Sequence, residues 1–449
     1  MGDFRDIADR IAGDIASGRL RPGQRLPPQR WFARRHRIAP STAGRVYGEL
    51  VRRGLVVGEV GRGTFVRATT PTDARGRALV EPSALAAPVN LELNYPVTAG
   101  QSELLAPALA PLLRPDVLAR ASRAVAATGT AAAREAAARL LALPGWRPAP
   151  DRFLFTGNAR QAIAAALASL VRPGGRVGVE ELTYPLVKEI AGRLGVVLVP
   201  LDGDDEGGVR PDALRAAHRA APLSALYLQP TLHNPTAVTT TQRRARELAG
   251  VATDLGIPVV EDRIWSFLHP DAVPFAAHAP DLTHVVDGLS KRVAPGLTVG
   301  LLVVPEARVE AVGAAVRSGG WSAGRFAVEA AVRWVEEGIV ERLVEDKRAD
   351  AARRQALLAE ALAGFRVRTD PRAYVAWWEL PAPWRADTFT AAAAAHGIAV
   401  TPGTAFAVDP RRTPDAVRLG LASAPEEELR RALRTLAAVA AAGPPADTR

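Results

Sequence analysis

The first 67 residues carry a hydrophobic pattern that predicts a small helical domain closed by a hairpin. Apolar residues recur at every fourth position, at Ile7, Ile11 and Ile15, which predicts a helix over residues 6–17. A turn rich in proline and glycine then leads into a second predicted helix over residues 29–36.

A third helix and a hairpin complete this segment. The helix is predicted to begin at Ser41 or Thr42, both natural N-cap residues, and to end at Arg53. Residues 55–60 and 64–66 then alternate as two strands around a glycine turn that carries an arginine at its tip. Such a winged helix-turn-helix reads DNA, because its recognition helix enters the major groove while the wing reaches the adjacent backbone or minor groove.

From about residue 91 the chain alternates strands with helices, which predicts an α/β fold. Short apolar runs separated by helical segments are typical of a doubly wound, mostly parallel sheet. Long helices followed by renewed alternation predict a smaller C-terminal α+β unit over residues 310–440, with the active crevice between the two units. Residues 68–90 show no sustained periodicity and are predicted to be a linker. Strands are predicted at residues 153–155, 177–179, 196–200, 225–228, 259–260 and 284–286.

The positive charge is concentrated in the predicted winged helix. Residues 1–67 hold 14 arginines against six acidic residues, whereas residues 68–449 hold 43 basic against 41 acidic residues. A local charge of +8 suits a polyanion, because neutralised phosphates release counterions and give salt-dependent affinity. By itself the same charge is also compatible with a solvated, arginine-rich face.

Composition narrows the class of protein. There is no cysteine, so no disulfide framework or thiolate metal site is expected, which suits the reducing cytoplasm. The seven histidines show no ligand spacing, and we predict no metal site. The amino terminus lacks the pattern of a signal peptide, and the apolar stretches are too short to span a bilayer.

Lysine is almost absent, which draws attention to the few that remain. Only Lys188, Lys291 and Lys347 occur among 57 basic residues. Arginine cannot serve as a free amine nucleophile, so retained lysines are candidates for amine chemistry. Lys291 follows the apolar run 284–290, where a strand would deliver it into the crevice, and we predict a Schiff-base lysine there. Lys188 and Lys347 adjoin acidic residues on helix-like stretches and are predicted to be solvated.

Polar motifs follow the other predicted strands. Each has a simple structural alternative when taken singly: an ordinary turn, a core tyrosine or a helix cap. At the carboxyl edge of a sheet, however, they could hold a phosphate, a planar ring and a ring nitrogen. The motifs are Thr156-Gly157-Asn158-Ala159, Tyr184-Pro185, His233-Asn234-Pro235-Thr236 and Glu261-Asp262.

The N-terminal segment resembles the winged-helix DNA-binding domain of the GntR family. The resemblance implies that Arg30, Ser41, Thr42 and Arg45 face bases or phosphates, with Arg62 and Gly63 in the wing. The matching residues are 15–23, Leu26-Pro27-Pro28-Gln29-Arg30, Arg45-Val46-Tyr47-Gly48-Glu49-Leu50, Gly54-Leu55-Val56 and Gly61-Arg62-Gly63-Thr64-Phe65-Val66.

Residues 91–440 resemble the fold-type I pyridoxal-phosphate enzymes, which have the aspartate aminotransferase fold. The resemblance implies that Lys291 forms the internal aldimine and acts as the catalytic lysine. Asp262 would pair with the pyridine nitrogen, and Asn234 would bond the phenolic oxygen of the ring. Arg418 would grip a substrate or effector α-carboxylate. The remaining implied cofactor contacts are Tyr184, stacked on the ring, Gly157 and Asn158 at the phosphate, and Ala159, Ser290 and Trp265.

Three positions depart from that family pattern. Thr298 stands seven residues after the lysine, where relatives usually carry a phosphate-binding arginine, and Gly288 replaces a common hydroxylic residue. Arg292, or a tyrosine or arginine of a partner subunit, would then supply the missing contact. Trp265 replaces a tyrosine that usually follows the ring-nitrogen acid.

A GntR-type DNA-binding domain joined to an aminotransferase-like body resembles the MocR subfamily of bacterial transcription regulators. The resemblance implies a homodimer that binds operator DNA and senses an amino acid or amine through the aldimine at Lys291. The alternative is a working aminotransferase with an attached DNA-binding domain. A third possibility is a regulator that has lost the cofactor.

Overall fold

A computed structural model describes residues 4–16, 19–20, 24–53, 55–59, 63–66, 87–204 and 207–444. The predicted wing-tip residue Arg62 and most of the predicted linker, residues 68–86, lie outside the described residues. The prediction of a winged helix followed by an α/β body is confirmed.

The N-terminal domain packs three helices against a small sheet. Its core consists of apolar faces that the helical spacing brings together, including Ile7, Ile11, Val46 and Leu50. Gly63 has φ +122°, and a Cβ there would lie 2.6 Å from the Arg25 side chain, so the strand start requires glycine. The elements are α1 Phe4–Ala16, β1 Arg25–Leu26, α2 Gln29–His36, α3 Pro40–Arg52, β2 Val56–Glu59 and β3 Gly63–Val66.

Two predictions for this domain need correction. Helix α3 begins earlier than predicted: its N-cap is Ala39, two positions before Ser41 and three before Thr42, and Pro40 is its first residue. Ser41 and Thr42 therefore lie within the first turn, because proline, which has no N–H, suits the first helical position. The predicted turn rich in proline and glycine spans residues 21–28, and within it residues 25–26 form an edge strand, in which Arg25 is paired with Phe65.

The body begins with β4, Val89–Asn90, which pairs in parallel with a short strand of the C-terminal unit. These two residues were assigned to the linker, so the described fold starts before the predicted boundary at residue 91. Helices then pack around the large sheet. They are α4 Gln101–Leu109, α5 Pro115–Ala121, α6 Ala131–Leu141, α7 Ala159–Leu170, α8 Pro185–Leu194, α9 Pro211–Ala220, α10 Gln242–Asp254, α11 Leu289–Arg292, α12 Val309–Ser318 and α13 Arg325–Glu336.

The large sheet has seven strands in the order β5-β11-β10-β9-β8-β6-β7. Every predicted strand is present, and most are fully buried, as expected for strands covered by helices on both faces. Strand β11 was not predicted; it runs antiparallel between β5 and β10. The strands are β5 Phe153–Thr156, β6 Arg176–Glu180, β7 Val197–Leu201, β8 Ala225–Leu228, β9 Val259–Asp262, β10 Thr283–Gly288 and β11 Gly300–Val303.

The C-terminal unit is an α+β cap with its own core. A four-stranded sheet in the order β12-β13-β16-β15 packs against helices through residues such as Trp378, Phe389 and Leu433. None of the helices in the described ranges is long and apolar enough to cross a membrane. The elements are α14 Ile339–Ala361, β12 Arg366–Thr369, β13 Val375–Glu379, α15 Ala386–Ala395, β14 Ile398–Ala399, β15 Thr401–Pro402, β16 Ala416–Gly420 and α16 Glu426–Ala442.

Candidate functional site

A cavity of about 150 Å³ lies where the carboxyl ends of the large-sheet strands meet the C-terminal unit. This is where open α/β sheets place their ligands. All the residues that the sequence assigned to the cofactor and effector line it, with the exception of Gly157. The lining residues used below are Asn94, Tyr95, Asn158, Ala159, Arg160, Tyr184, Gln229, Asn234, Asp262, Trp265, Ser290, Lys291, Thr298, Thr401 and Arg418.

Lys291 lies on α11, directly after β10, and presents its amine to this cavity. Its Nζ donates a 2.7 Å hydrogen bond to the Asn94 carbonyl and lies 3.9 Å from the centroid of the Tyr95 ring. The Trp265 ring is 5.1 Å away. Burial, helped by the nearby cations Arg418 and Arg160, lowers the pKa of Lys291 to about 7. A substantial fraction of this amine is therefore neutral, and nucleophilic, near pH 7.

Asp262 ends β9, and its carboxylate is held from three sides. Oδ2 accepts hydrogen bonds from the Tyr227 hydroxyl at 2.7 Å and from Gln229 Nε2 at 2.9 Å, while Oδ1 accepts from the Ile264 amide at 3.0 Å. Burial nevertheless raises the pKa of Asp262, and the three hydrogen bonds oppose that rise. A cationic partner in the cavity, such as a protonated ring nitrogen, would favour the carboxylate.

Asn234 lies in a tight turn after β8. Leu232 and Ala237, on either side of it, adopt φ angles of +48° and +58°, a conformation that is costly for residues with a Cβ. Asn234 is 9% exposed, and its Oδ1 has no hydrogen-bond partner among the described residues. An unpaired buried amide oxygen is costly, so a ligand that brings a hydrogen-bond donor into this cavity would satisfy it.

Arg418 on β16 faces the cavity from the C-terminal unit and is 7% exposed. Its Nη2 donates to the Glu92 carbonyl at 2.6 Å and to Thr401 Oγ1 at 2.9 Å. Its Nε has no hydrogen-bond partner among the described residues. One edge of the guanidinium is thus fixed to the protein, and an N–H donor remains for an anion.

The predicted phosphate cradle is partly rearranged. Asn158 lines the cavity, but its Oδ1 caps α7 by accepting from the Gln161 amide at 3.1 Å. Gly157 does not line the cavity; the Gln161 side chain lies against it. The start of α7 still offers backbone N–H groups to an anion, and the Oγ1 of Thr298 is buried there without a partner in the described structure.

Arg160 lines the cavity, whereas Arg292, which was predicted to replace the missing phosphate contact, does not. Arg292 is buried and pairs with Asp287, its Nη2 lying 2.6 Å from Oδ2, and it does not line the cavity. Arg160, in the first turn of α7, does line it, and its side chain is exposed rather than ion-paired with a described residue. Arg160 was not predicted, because only the folded position of the α7 start brings it to the cavity that Thr298 also lines.

Two aromatic residues complete the walls. Tyr184 caps the start of α8, and burial raises its pKa. Trp265 is 6% exposed and packs near Tyr374, with 6.1 Å between ring centroids. Position 265 carries tryptophan where the family usually has tyrosine. A phenol ring nevertheless lies beside Lys291, because Tyr95, which was not predicted, lines the same cavity.

The two lysines predicted to be solvated are both less exposed than expected: Lys188 is half-buried and Lys347 is buried. Lys347 is fully buried rather than solvated, and its Nζ bonds three backbone carbonyls. Lys188 donates to the carbonyls of Ala405 and Ala407 at 2.9 and 2.8 Å. Acidic neighbours in the sequence were a misleading signal, because helix geometry turns both amines inward.

The candidate DNA interface lies on α2, α3 and the wing. Arg30, Ser41 and Arg45 are exposed, and Thr42 is half-buried. The Arg45 guanidinium lies 4.1 Å from the Phe4 ring centroid, which holds it beside the start of α3. Gly63 opens β3 in the wing, whereas the predicted contact Arg62 lies outside the described residues.

Known protein families match both the N-terminal domain and the body. Residues 119–436 match the family "Aminotransferase class I and II", and residues 4–66 match "Bacterial regulatory proteins, gntR family". The chain belongs to the class I and II aminotransferase family. This family member carries a GntR-type DNA-binding domain at its N-terminus, so the predicted MocR-type organisation is confirmed.

Similar proteins and structures extend this assignment. The "Uncharacterized HTH-type transcriptional regulator YdeF" of Bacillus subtilis is 28% identical over 96% of this family member and 93% of its own length. The "HTH-type transcriptional regulator TauR" of Rhodobacter capsulatus is 27% identical over 67% of each chain.

Solved aminotransferases share the fold of the body. An archaeal alanine:glyoxylate aminotransferase superposes with a TM-score of 0.73 at 19% identity, covering 83% of this chain and 95% of its own. The α-aminoadipate aminotransferase LysN of Thermus thermophilus, complexed with N-(5'-phosphopyridoxyl)-L-leucine, superposes with a TM-score of 0.71 at 21% identity. The match covers 82% of this chain and 96% of LysN. The body therefore has the aminotransferase fold.

Proposed function

We propose that this protein is a pyridoxal-phosphate-dependent transcription regulator that senses an amino acid or amine at Lys291. The observation that carries the proposal is the position of the Lys291 amine. It has a lowered pKa and faces a cavity in which Asn234 Oδ1 and Arg418 Nε have no described protein partner. The names of the relatives, which are HTH-type transcriptional regulators, support a regulatory role.

The cavity residues fit the cofactor in chemical type. Asp262 would face the pyridine nitrogen, Asn234 the phenolic oxygen, and Tyr184 the ring. When bound, pyridoxal phosphate supplies an aldehyde that condenses reversibly with a primary amine, releasing water, so the effector amine and Lys291 compete for one carbon. Asn94 and Tyr95 would then keep the released Lys291 amine beside that carbon.

Arg160 would supply the phosphate charge that Thr298 does not. The family pattern places an arginine at residue 298, which lines the same cavity. Arg160 brings a cation to this cavity from the first turn of α7, and the N–H groups of the α7 start complement it. Ser290, Ala159 and Asn158 would complete the contacts around the phosphate.

Arg418 would recognise the carboxylate of an amino-acid effector. Its Nη2 is already fixed by the Glu92 carbonyl and Thr401, so little side-chain entropy is lost when Nε meets an anion. The leucine adduct held by LysN gives a precedent for an amino acid bound with the cofactor in this fold.

Sensing must be coupled to the DNA-binding domain. An effector shifts only an equilibrium in which it prefers one state, so closure of the cavity must favour one arrangement of the two domains. We propose a homodimer on a two-part operator, with Arg30, Ser41, Thr42, Arg45, Gly63 and Arg62 as the DNA contacts. The cytoplasmic location expected from the sequence is part of this proposal.

Spectral titration tests the function. The cofactor-supplied protein should absorb visible light, and this absorbance should be lost in Lys291→Ala. Borohydride should attach the cofactor to residue 291 in a peptide map. Among candidate amines and amino acids, one should shift both the spectrum and the salt-dependent affinity for operator DNA. No cofactor label at Lys291 in the wild type would overturn the proposal and leave a cofactor-free DNA-binding protein.

The second candidate is a working aminotransferase. It is favoured by the pKa of Lys291 near 7, which suits a base that moves a proton. Steady production of a keto acid from an amino acid would support this candidate. A spectral change without a keto-acid product would support sensing alone.

A further inference from the structure

Lys347 is joined to the peptide that carries Lys291. It lies on α14, is 0% exposed, and its Nζ donates to the carbonyls of Lys291 at 3.0 Å, Arg292 at 2.9 Å and Val293 at 2.7 Å. These carbonyls end the single turn of α11. The last carbonyls of a helix have no hydrogen-bond partner within the helix, and Lys347 donates to these carbonyls.

The geometry of these bonds requires an ammonium group. Three carbonyls converge on one nitrogen; a protonated lysine has three N–H donors, whereas a neutral amine has only two. Burial lowers the pKa of Lys347 to about 7, Asp350 opposes this fall, and only the protonated form can donate to all three carbonyls. Arginine cannot replace it, because its donors spread over a planar fork rather than from one point. This explains why a chain that otherwise prefers arginine keeps lysine here.

The turn that Lys347 holds is short and depends on contacts with the rest of the body. In the four-residue helix α11 the Val293 amide donates to the Leu289 carbonyl at 2.7 Å, the Leu289 amide donates to the Val299 carbonyl at 3.0 Å, and the Arg292 side chain pairs with Asp287. A single turn is not stable by itself. Lys347 ties it to α14, a helix of 23 residues. Tyr374 secures that anchor by donating to the Lys347 carbonyl at 2.7 Å.

We propose that Lys347 is a positioning residue that fixes the α11 turn and so aims the Lys291 amine at the cavity, while adding positive charge behind it. This inference rests on the proposed function in taking Lys291 as the reactive amine. The charged groups that act on Lys291 are Arg418, Arg160, Lys347 and Asp262, and the one that acts on Lys347 is Asp350.

The test has two readouts at Lys291: its pH midpoint, which needs no cofactor, and its rate of pyridoxal-phosphate capture. Competitive acetylation with acetic anhydride, followed by peptide mapping, gives the pH midpoint and relative rate for each of the three lysines. The variants are Lys347→Met, which removes charge and donors, and Lys347→Arg, which keeps the charge but not three donors on one nitrogen. The control is Gln355→Met on the same helix, which loses bonds to the Ala373 carbonyl at 2.6 Å and to Thr369 Oγ1 at 2.8 Å.

Lys347→Met should raise the midpoint for Lys291 by about one pH unit, because a nearby cation is lost. Lys347→Arg should keep the pH midpoint of Lys291 within a few tenths of a pH unit of the wild-type value. Its rate of pyridoxal-phosphate capture at Lys291 should nevertheless fall about tenfold. Gln355→Met should lower the melting temperature and leave both quantities unchanged. If Lys347→Met does not fold, the capture rate in Lys347→Arg decides the matter.

A fall in melting temperature with the wild-type midpoint and capture rate in both Lys347 variants would overturn the proposal and leave a purely structural lysine. If the wild type captures no pyridoxal phosphate but Lys347→Met still shifts the Lys291 midpoint, the cofactor proposal fails while the positioning role stands.

Discussion

The hydroxyl of Tyr227 donates a 2.7 Å hydrogen bond to the Oδ2 atom of Asp262. Both residues are fully or almost fully buried, on the neighbouring strands β8 and β9. The bond opposes the rise that burial causes in the pKa of Asp262, and so favours the carboxylate that a ring nitrogen would need.

Tyr227→Phe should therefore weaken cofactor binding. Loss of a hydrogen bond to a charged group costs roughly 1.5–3 kcal/mol, so the Kd for pyridoxal phosphate should rise about 10- to 100-fold. Absorbance titration measures it. Tyr47→Phe, which removes a hydroxyl bonded to the Pro27 carbonyl in the DNA-binding domain, is the control and should leave the Kd unchanged. Equal affinity in the two variants would argue against the assigned role of Asp262.

Arg160→Met should weaken binding of the phosphorylated cofactor but not of the free aldehyde. Only pyridoxal phosphate carries the anion that Arg160 would meet, so its Kd should rise about tenfold or more while that of pyridoxal stays constant. Arg172→Met, an exposed arginine beyond the far end of α7, is the matched control. A parallel loss for both ligands would show that Arg160 shapes the cavity without contacting phosphate.

Capture of an aldehyde by Lys291 should have its pH midpoint near 7. Its pKa is lowered to about 7 from an ordinary 10.5, and only the neutral amine reacts, so the rate should increase through pH 7 and level off above pH 8. In urea-unfolded protein the midpoint should move towards 10.5. Rates measured by borohydride trapping at each pH test this, and a midpoint above 9 in the folded protein would contradict it.

Arg45→Ala should weaken DNA binding in a salt-dependent way. Removal of one phosphate contact should reduce the slope of log K against log salt by about 0.9. Arg52→Ala is the control, because Arg52 lies on the same helix, is exposed and is ion-paired with Glu49 at 2.6 Å. Fluorescence anisotropy on operator DNA at several salt concentrations gives both slopes. Equal slopes in the two variants would place Arg45 away from the phosphates.

Local sequence patterns determined most of the fold. The spacing of Ile7, Ile11 and Ile15 and the apolar strands at the start of each βα unit act over a few residues, so the elements could be predicted. The order of motifs along the chain also grouped Lys291, Asp262 and Asn234, because parallel strands bring their carboxyl ends to one edge of the sheet. Arg418, on the C-terminal sheet, was added by the family resemblance alone.

Long-range packing decided the rest, because these contacts join residues far apart in sequence. Asn94 and Tyr95 meet Lys291 across almost 200 positions, and no local pattern marks them. Arg160 lines the cavity while Arg292 turns away to Asp287, since the α7 start and the α11 turn point their side chains in different directions. Lys347 was read as solvated from its acidic neighbours, yet the packing of α14 against α11 buries it. Sequence thus determined which chemistry the chain could carry, and tertiary structure decided which side chains support it.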